Sequence, residues 1–323
     1  MNLIITDHCN RECAYCFARD KIDLGAVTSP MNKKKQISLE TVALYLDFLK
    51  ASNIDLFKIL GGEPTLHPQF REIVTLGIDR GFKLTVFTNG LWPDTVLQHF
   101  KRIAQDQINF VFNVNEPRNQ KEHENLRQRE SLKVAGKRAM LGFNIFEDNF
   151  DFLFCKDLID EYDLKREIRI GLASPIVRQK NIYLKNSTLK IIGKRLCSQL
   201  RKLEACDILG ALDCGFPLCM FEENDLGSLA ITTKGFHSIC GSVVDVDADL
   251  NVWPCFPLSK LFNVHLPDFK NFQDLDRYYS KKLAPLKNMG SMDDCIMCKF
   301  LKRHQCCGGC LGRTIENIEA TGD

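Results

Sequence analysis

NLIITDHCNRECAYCF, residues 2–17, places a short apolar run directly before three closely spaced cysteines. The run Asn2–Thr6 has the length and composition of a buried parallel strand. Cys9, Cys13 and Cys16 follow with the spacing C-x3-C-x2-C. Thiolates hold iron–sulfur clusters, and three from one loop can occupy three corners of a four-iron cluster, leaving one iron for another ligand. Zinc or redox chemistry is the alternative, but structural zinc usually takes four ligands at other spacings.

The rest of the first half alternates strand and helix patterns. Further apolar runs occupy Leu56–Leu60, Lys83–Thr88, Ile108–Asn113, Met140–Ile145 and Glu167–Leu172. Amphipathic stretches separate them, such as SLETVALYLDFLKASN, which opens on a good N-cap residue, Ser38. Six β–α units predict an α/β fold with parallel strands, arranged as a partial (β/α)6 barrel. In such folds the functional residues lie at the carboxyl ends of the strands, where the three cysteines also fall.

The alternation stops after a helical stretch near residues 187–205, which predicts a domain boundary at residue 206. We expect a barrel domain over residues 1–206 and a small cysteine-rich α+β domain over residues 207–323. Within the second, SVVDVDADLNVWPC predicts a β-hairpin that turns at residues 247–249. In the first, the polar segment RNQKEHENLRQRESLK, residues 118–133, predicts a solvated loop and helix.

Composition excludes several classes of protein. The formal net charge of the 323 residues is only +2, so we expect neither nucleic acid nor an anionic membrane as a partner. No apolar run reaches the roughly 18 residues that a membrane span needs, and the first strand lacks the basic flank of a signal peptide. Fifteen cysteines in a chain long enough to fold on its own core suit a reducing compartment, so we predict a cytoplasmic protein.

Two motifs together resemble the radical S-adenosylmethionine (SAM) superfamily. They are CNRECAYC, with the aromatic Tyr15 before its last cysteine, and LGGEPTLHP at the end of the second strand. The resemblance implies that Cys9, Cys13 and Cys16 bind a [4Fe–4S] cluster whose open iron is chelated by SAM. Reductive cleavage of SAM would then give a 5′-deoxyadenosyl radical that removes a hydrogen atom from a substrate. The cofactors carry this chemistry, and the protein positions them.

The resemblance also implies which residues contact SAM. Gly61, Gly62 and Glu63 would hold its methionine end, and the other candidates stand beside the cysteines or at strand ends. The full set is Tyr15, Phe17, Gly61, Gly62, Glu63, Thr88, Asn89, Asn113 and Asn144. Caps of turns or strand ends are the alternative interpretation of the polar members.

Two further cysteine stretches, CGSVVDVDADLNVWPC and CIMCKFLKRHQCCGGC, resemble the SPASM extension of the superfamily, which binds one or two auxiliary [4Fe–4S] clusters. This chain departs from the pattern, because no cysteine lies shortly before Cys240 and none follows Cys310. Our predicted first auxiliary set is Cys219, Cys240, Cys255 and Cys310. Our predicted second set is Cys295, Cys298 and Cys306 or Cys307, with Cys214 as a possible fourth ligand. A zinc ribbon built on Cys295, Cys298, Cys307 and Cys310 is the alternative.

A spare thiol near a substrate radical could instead donate a hydrogen atom. The candidates for this catalytic role are Cys214, Cys219 and Cys307. SPASM relatives commonly modify ribosomally made peptides, so the leading hypothesis is crosslinking, epimerisation or excision in a precursor peptide. A dehydrogenase or epimerase of a sugar or aminocyclitol is the second hypothesis, and an iron–sulfur protein without turnover is the third.

The expected partners follow from this hypothesis. They are a precursor peptide and a reductant such as flavodoxin or ferredoxin. Only eight residues precede Cys9, so we expect any leader-binding protein to be a separate partner.

Overall fold

The computed structural model describes residues 1–18, 35–104 and 106–321, and its centre is one sheet of ten strands. The strands are β1 (Asn2–Ile4), β2 (Leu56–Leu60), β3 (Lys83–Thr88), β4 (Ile108–Val114), β5 (Ala139–Ile145), β6 (Glu167–Leu172), β7 (Leu209–Leu212), β8 (Asp245–Val246), β9 (Asn251–Trp253) and β10 (Val264–His265). Their order across the sheet is β10-β9-β8-β1-β2-β3-β4-β5-β6-β7, and β1 to β7 all pair in parallel. The sheet is therefore open, with β10 and β7 at its edges.

In the part of the chain that the structure describes, ten α-helices accompany the sheet, and the first six of them connect the parallel strands β1 to β7. The ten helices are α1 (Leu39–Ala51), α2 (Phe70–Asp79), α3 (Asp94–Phe100), α4 (Glu122–Ala135), α5 (Phe154–Tyr162), α6 (Leu189–Glu204), α7 (Glu223–Thr232), α8 (Phe272–Met289), α9 (Lys299–Lys302) and α10 (Leu311–Thr321). α1 begins as the sequence predicts, because the Ser38 hydroxyl accepts from the backbone N–H of Thr41 at 3.1 Å. Among the described residues, every helix is too short or too polar to span a bilayer.

The two faces of the strands differ in burial. On β2, Phe57 and Ile59 are fully buried against the helices, whereas Lys58 and Leu60 are only partly buried. The same alternation places Asn113 of β4 and Asn144 of β5 on the second face. Since neighbouring side chains of a strand point to opposite faces, one face forms the core and the other lines a polar concave side.

The predicted partial barrel is confirmed, and each of the six predicted strands matches an observed one to within two residues at either end. The predicted hairpin also forms, with Val246 of β8 opposite Val252 of β9. The sheet extends further than the six predicted units, because β7 adds a seventh parallel strand and β8 pairs in parallel with β1. β7 lies beyond residue 206, so hydrogen bonds of the sheet cross the boundary that the sequence predicts.

The polar segment at residues 118–133 differs from the prediction of a solvated helix. It contains most of α4, and Glu124, Gln128, Ser131 and Leu132 are all buried in it. The reason is tertiary, because Glu124 of α4 binds Arg11 in the loop that carries the first three cysteines, and Gln128 donates to carbonyls at the ends of β3 and β4.

Candidate functional site

The cysteine loop follows β1 at the carboxyl end of the sheet. Cys9 is buried, Cys13 and Cys16 are partly buried, and the backbone N–H of Cys16 donates to the carbonyl of Cys13 at 3.1 Å. Burial raises the pKa of Cys9 to about 11 and also raises the pKa of Cys13. The protein alone therefore favours neutral thiols here, and the positive charge of bound iron would be what stabilises the thiolates.

The thiol donor set is chemically suited to an iron–sulfur cluster. In the described ranges, no three His, Cys, Asp or Glu side chains converge on one ion position. The thiolates of an iron–sulfur cluster each bind a different iron, so they do not need to converge. The Asn89 amide donates to the Cys9 sulfur at 3.7 Å, a contact of the kind that tunes cluster ligands. The three thiols thus fit a cluster.

Arg11 anchors the cysteine loop. Its side chain is almost fully buried and lies 3.3 Å from the Glu124 carboxylate of α4. It also donates to the carbonyl oxygens of Asn89 and Asn113, at the ends of β3 and β4. The Gln128 amide donates to the same two carbonyls. The loop is therefore fixed to three separate elements, which preorganises the sulfur positions.

The glycines of LGGEPTLHP lie against the same loop. A Cβ on Gly61 would lie 2.9 Å from the carbonyl oxygen of Thr6, and a Cβ on Gly62 would lie 2.4 Å from that of His8. The backbone N–H groups of Gly62 and Glu63 donate to these two carbonyls at 2.8 and 2.7 Å. In this structure the glycines permit backbone-to-backbone contact between the end of β2 and the start of the cysteine loop.

Glu63 is fully buried, and donors of the chain itself occupy its carboxylate. One oxygen accepts from the backbone and hydroxyl of Thr65 and from the hydroxyl of Thr88, and the other accepts from the backbone of Asn89. Thr88 also receives the Trp92 indole N–H at 2.9 Å. Both side chains therefore connect the ends of β2 and β3, and their predicted contacts with SAM stay predictions.

A row of polar side chains crosses the concave side. The Asn144 amide donates to Asn113, whose amide donates to the Tyr15 hydroxyl, both at 2.7 Å. The Tyr15 hydroxyl donates to Asn115 at 2.5 Å, and its ring stacks on Phe146 at 4.9 Å between centroids. Three predicted cofactor residues, Tyr15, Asn113 and Asn144, are thus brought together beside the cysteine loop. We name Tyr15, Asn113 and Asn144 the asparagine row.

Phe17 occupies a different position from the asparagine row. Its side chain is 43% exposed, and its ring centre lies 4.4 Å from that of Phe256, directly after Cys255. The first cysteine loop and the C-terminal cysteine segment therefore pack against each other.

The C-terminal cysteines separate into two groups of electrostatic neighbours. Burial raises the pKa of Cys255 and of Cys240, and the nearby thiols of Cys214 and Cys310 raise both pKa values further. A Cβ on Gly215 would lie 3.7 Å from the Cβ of Cys310, which independently joins these two segments. We name Cys214, Cys240, Cys255 and Cys310 the first thiol group.

The second thiol group is Cys219, Cys295, Cys298 and Cys306. Burial raises the pKa of Cys219 to about 11, and the charges that add to this effect come from Cys295, Cys306 and Cys298. This grouping differs from the two sets that the sequence predicts. Cys214 lies in the first group, where Cys219 was predicted, and Cys219 lies in the second group, where Cys214 was predicted. Cys214 and Cys219 are exposed, whereas the other members of the two groups are buried or partly buried. Four thiols in each group match the ligand count of a [4Fe–4S] cluster.

Cys307 belongs to neither group of four. It is buried, it accepts from the backbone N–H of Cys240 at 3.1 Å, and its sulfur lies 3.3 Å from the carbonyl of Gly309. Of the three predicted hydrogen-donor thiols, Cys214 and Cys307 lie on the side of the first group, and Cys219 lies in the second. Their catalytic role stays a prediction.

The comparisons with known proteins agree with this architecture. Residues 3–148 match the Radical SAM superfamily model. A SAM-dependent nucleotide dehydratase of Selenomonas ruminantium is 37% identical over 119 residues, which are 34% of this chain and 39% of that protein. A GTP 3′,8-cyclase of Mannheimia succiniciproducens is 28% identical over 120 residues, 36% of this chain and 34% of that protein. The matched segment thus spans less than half of each of these two relatives.

Similar solved structures cover nearly the whole chain. Streptococcus suis SuiB bound to SAM has a TM-score of 0.63 at 13% identity, covering 98% of this chain and 73% of that one. anSMEcpe with bound AdoMet and the Kp18Cys peptide has a TM-score of 0.64 at 16% identity, covering 96% of this chain and 88% of that one. At this identity the likeness shows the fold. The match to the Radical SAM superfamily model is confined to residues 3–148, which are slightly less than half of the chain.

Sequence reasoning missed several residues of the site. Arg11 and Glu124 lie 113 positions apart, and no local pattern relates them. Asp213 and Lys58 had no motif around them, yet both lie on the concave side. The position of Asp213 directly after β7 would have been a usable signal, but β7 was not predicted.

Proposed function

We propose that this protein modifies a ribosomally made peptide by radical chemistry that begins with removal of a hydrogen atom. The observation that carries the proposal is the likeness in fold over nearly the whole chain, including the C-terminal cysteines. One of the similar structures is SuiB with its precursor peptide SuiA, at a TM-score of 0.63 and 98% coverage of this chain. A crosslink, an inverted α-carbon or an excision is the expected product.

The bound cluster and SAM supply the 5′-deoxyadenosyl radical, and the residues of the chain position and shield them. Cys9, Cys13 and Cys16 would hold the cluster, in a loop that Arg11 fixes in place. The asparagine row offers amide and hydroxyl groups toward the concave side for the polar parts of SAM. Tyr15 is 8% exposed and shields the cluster side from water.

The two thiol groups would hold auxiliary [4Fe–4S] clusters. Each offers four sulfurs, and the glycines around them permit close approach of the chain. A Cβ on Gly308 would lie 2.6 Å from the backbone nitrogen of Ser291, and the φ of Gly308 is +79°. Auxiliary clusters suit net oxidations, because they can accept the electron that remains after a bond forms in the substrate.

An exposed surface beside the second thiol group fits an acidic reductant such as flavodoxin or ferredoxin. Ile296 and Met297, between Cys295 and Cys298, are 71% and 77% exposed. Lys299, Lys302 and Arg303 are exposed next to them, and no ion pair with the described residues neutralises these cations. A cavity of about 520 Å³ opens beside these exposed residues and is lined in part by Ile296 and Lys302. Charge complementarity and the nearby thiols support an electron carrier as the occupant.

Charge reversal at this surface tests the reductant. We expect Lys299→Glu with Lys302→Glu to weaken binding of reduced flavodoxin, with a smaller salt dependence than the unchanged protein has. Lys281→Glu with Lys282→Glu on α8 is the control for net charge, since both residues are exposed. Equal losses in the two double variants would mean that flavodoxin responds only to overall charge.

The remaining partner and location predictions belong to the same proposal. A separate leader-binding protein is expected if the precursor peptide carries a leader. The cytoplasmic location stays a prediction that rests on the fifteen cysteines of the sequence.

A nucleotide substrate is the second candidate, and the names of two sequence relatives favour it. Those relatives match only about a third of this chain. A sugar or aminocyclitol has no observation in its favour beyond the sequence-based resemblance. The peptide therefore remains the leading substrate class.

Anaerobic reconstitution tests the proposal. The protein is loaded with iron and sulfide, reduced, and given SAM with the candidate precursor peptide, and 5′-deoxyadenosine is quantified. We expect nucleoside and a mass change in the peptide, and neither with the variant in which Cys9, Cys13 and Cys16 are all alanine. About eight irons should remain in that variant if both auxiliary clusters form. A wild-type protein that holds iron and yields no 5′-deoxyadenosine with either the peptide or GTP would overturn the proposal of a radical enzyme.

A further inference from the structure

A partly exposed ion pair lies on the concave side, between the middle of β6 and the carboxyl end of β7. Arg169 belongs to β6, and Asp213 directly follows β7. The side chains are 32% and 30% exposed, although Ile168 and Ile170 on the other face of β6 are fully buried. The pair therefore faces the open side of the partial barrel and not its core.

The geometry leaves hydrogen-bonding capacity on both partners. Nη2 of Arg169 lies 2.5 Å from Oδ2 of Asp213, and the guanidinium carbon lies 5.5 Å from the centre of the Phe87 ring. A guanidinium carries five N–H donors, and a carboxylate accepts several hydrogen bonds. Within the described ranges, no other hydrogen bond uses the Arg169 side chain or the second carboxylate oxygen. A fixed donor and a fixed acceptor thus stand side by side.

Gly171 leaves a notch between this pair and the asparagine row. A Cβ at Gly171 would lie 2.7 Å from Oδ1 of Asn144 and 3.2 Å from Oδ2 of Asp213. Any larger residue would fill the space between the two side chains. A group that enters the notch therefore meets Asn144 on one side and Asp213 on the other. Cys214 of the first thiol group comes next in the chain after Asp213.

The charges around the notch are nearly balanced. Lys58 of β2 is a further cation, and its pKa is lowered by burial and by the positive charge of Arg169. Asp213 and Asp245 oppose it, and each acts to raise that pKa. A triphosphate would need a clear excess of cations, and a carboxylate at its edge would repel it. The balance suits a neutral polar ligand.

We propose that Arg169 and Asp213 bind a main-chain amide of the substrate peptide, with the Arg169 guanidinium donating to its carbonyl and the Asp213 carboxylate accepting from its N–H. This inference rests on the proposed peptide function and names the contact that holds the peptide. A peptide held there would lie between the asparagine row, where we propose that SAM binds, and the first thiol group. A peptide group is the ligand that offers an acceptor and a donor together and carries no charge.

The probe is N-methylacetamide, which is a single peptide group, and its binding to the reconstituted, SAM-loaded protein is titrated by saturation-transfer NMR. Methyl acetate, which keeps the carbonyl and lacks the N–H, is the paired ester probe. Inorganic tripolyphosphate is the polyanion probe. We expect the amide to bind the unchanged protein about tenfold more tightly than the ester, since a hydrogen bond to a charged group contributes that much.

The variants are Asp213→Asn, Arg169→Gln and Arg169→Lys. Asp213→Asn should abolish the preference for the amide over the ester, and Arg169→Gln should weaken both probes. Arg169→Lys retains the charge and keeps the test valid if Arg169→Gln fails to fold. The control is Lys234→Gln, which removes a different ion pair of β6, the one with Glu167 at 2.5 Å, and should leave both affinities unchanged.

Two results would overturn the inference. One is an unchanged amide preference in Asp213→Asn. The other is tripolyphosphate that displaces the amide from the unchanged protein. Formation of 5′-deoxyadenosine in the same samples separates this outcome from failure of the proposed function. If the nucleoside forms and the amide preference survives the substitutions, only the assignment of Arg169 and Asp213 fails. If the unchanged protein forms no nucleoside, the radical function fails first.

Discussion

The first cysteine loop and the C-terminal thiol groups both bring several thiols together, but from very different lengths of chain. The loop gathers three thiols within eight residues and is fixed by Arg11 and by the backbone beside Gly62. The two thiol groups draw their members from positions between 214 and 310 and rest on short elements such as β8 and α9. Local ligands can be preorganised by a few hydrogen bonds, whereas distant ligands depend on the folding of a whole domain. Substitutions far from the first cysteine loop should therefore affect its binding of iron less than they affect the thiol groups.

The largest expected effect is the loss of iron when Cys214 or Cys219 is replaced. Cys214→Ser and Cys219→Ser should each lose about four of about twelve irons, because each breaks one set of four ligands. Cys214→Ser combined with Cys240→Ser should lose no more iron than either alone, since both would lie in the first group. Cys214→Ser combined with Cys219→Ser should lose about eight. Iron analysis with Mössbauer spectroscopy measures this.

Cys206→Ser is the control for loss of a thiol that belongs to no group, and it should keep all of the iron. The grouping would be contradicted if Cys219 and Cys240 behaved as members of one set, with no additional loss in their double variant.

Removal of the Arg11 anchor should cost about 3–5 kcal/mol of stability, because Arg11→Met leaves Glu124 buried without its partner. We also expect lower iron at the first site and unchanged iron at the thiol groups. Urea unfolding with iron analysis measures both effects. Arg129→Met on the same helix is the control, since its pair with Glu161 is 40% and 50% exposed and should contribute within about 1 kcal/mol. Similar losses in the two variants would mean that burial of Arg11 does not decide the outcome.

Two glycine substitutions compare the regions directly. Gly62→Ala places a Cβ 2.4 Å from the His8 carbonyl oxygen, and Gly290→Ala places one 2.3 Å from the Cβ of Cys295. Each should cost about 1–3 kcal/mol by overpacking, and the φ of +74° at Gly290 adds strain. We expect Gly62→Ala to lower SAM binding and Gly290→Ala to spare it. Isothermal titration with SAM distinguishes them.

Gly227→Ala in α7 is the control, because its Cβ would meet nothing within 4 Å. It should be neutral or stabilising by up to about 1 kcal/mol. A loss of SAM affinity in Gly290→Ala would show that the two regions are coupled.

The smallest expected effect is a pH dependence at His67, close to the first site. Burial lowers the pKa of His67, although the Ile37 carbonyl acts to raise it. The ring accepts from the backbone N–H of Gln69 at 3.1 Å, so the neutral form is the one that fits. The unfolded chain therefore binds the proton more readily, and stability should fall as the pH drops through the unfolded value near 6.5. His67→Gln should show a smaller decrease in melting temperature between pH 7.5 and 5.5, and an identical decrease would contradict this role.

The outcome of the sequence analysis follows the same division between local and distant features. Strands β2, β3 and β6 lie within the predicted bounds because buried runs of apolar residues are a local signal. The hairpin of β8 and β9 was also local, with its turn at residues 247–249. The burial of α4 was not predicted, because Glu124 is buried against Arg11, which lies 113 positions away, and Gln128 against the ends of β3 and β4.

The sequence by itself determined the alternation of strands and helices, the three thiols after β1 and the glycines that approach them. All of these depend on spacing within a few residues, which the chain order records. Only the tertiary structure decided that Cys214 joins Cys240, Cys255 and Cys310, that Arg11 reaches Glu124, and that Arg169 and Asp213 meet beside Gly171. Such contacts form between segments whose separation along the chain carries no periodicity, because the packing of the sheet and its helices brings them together.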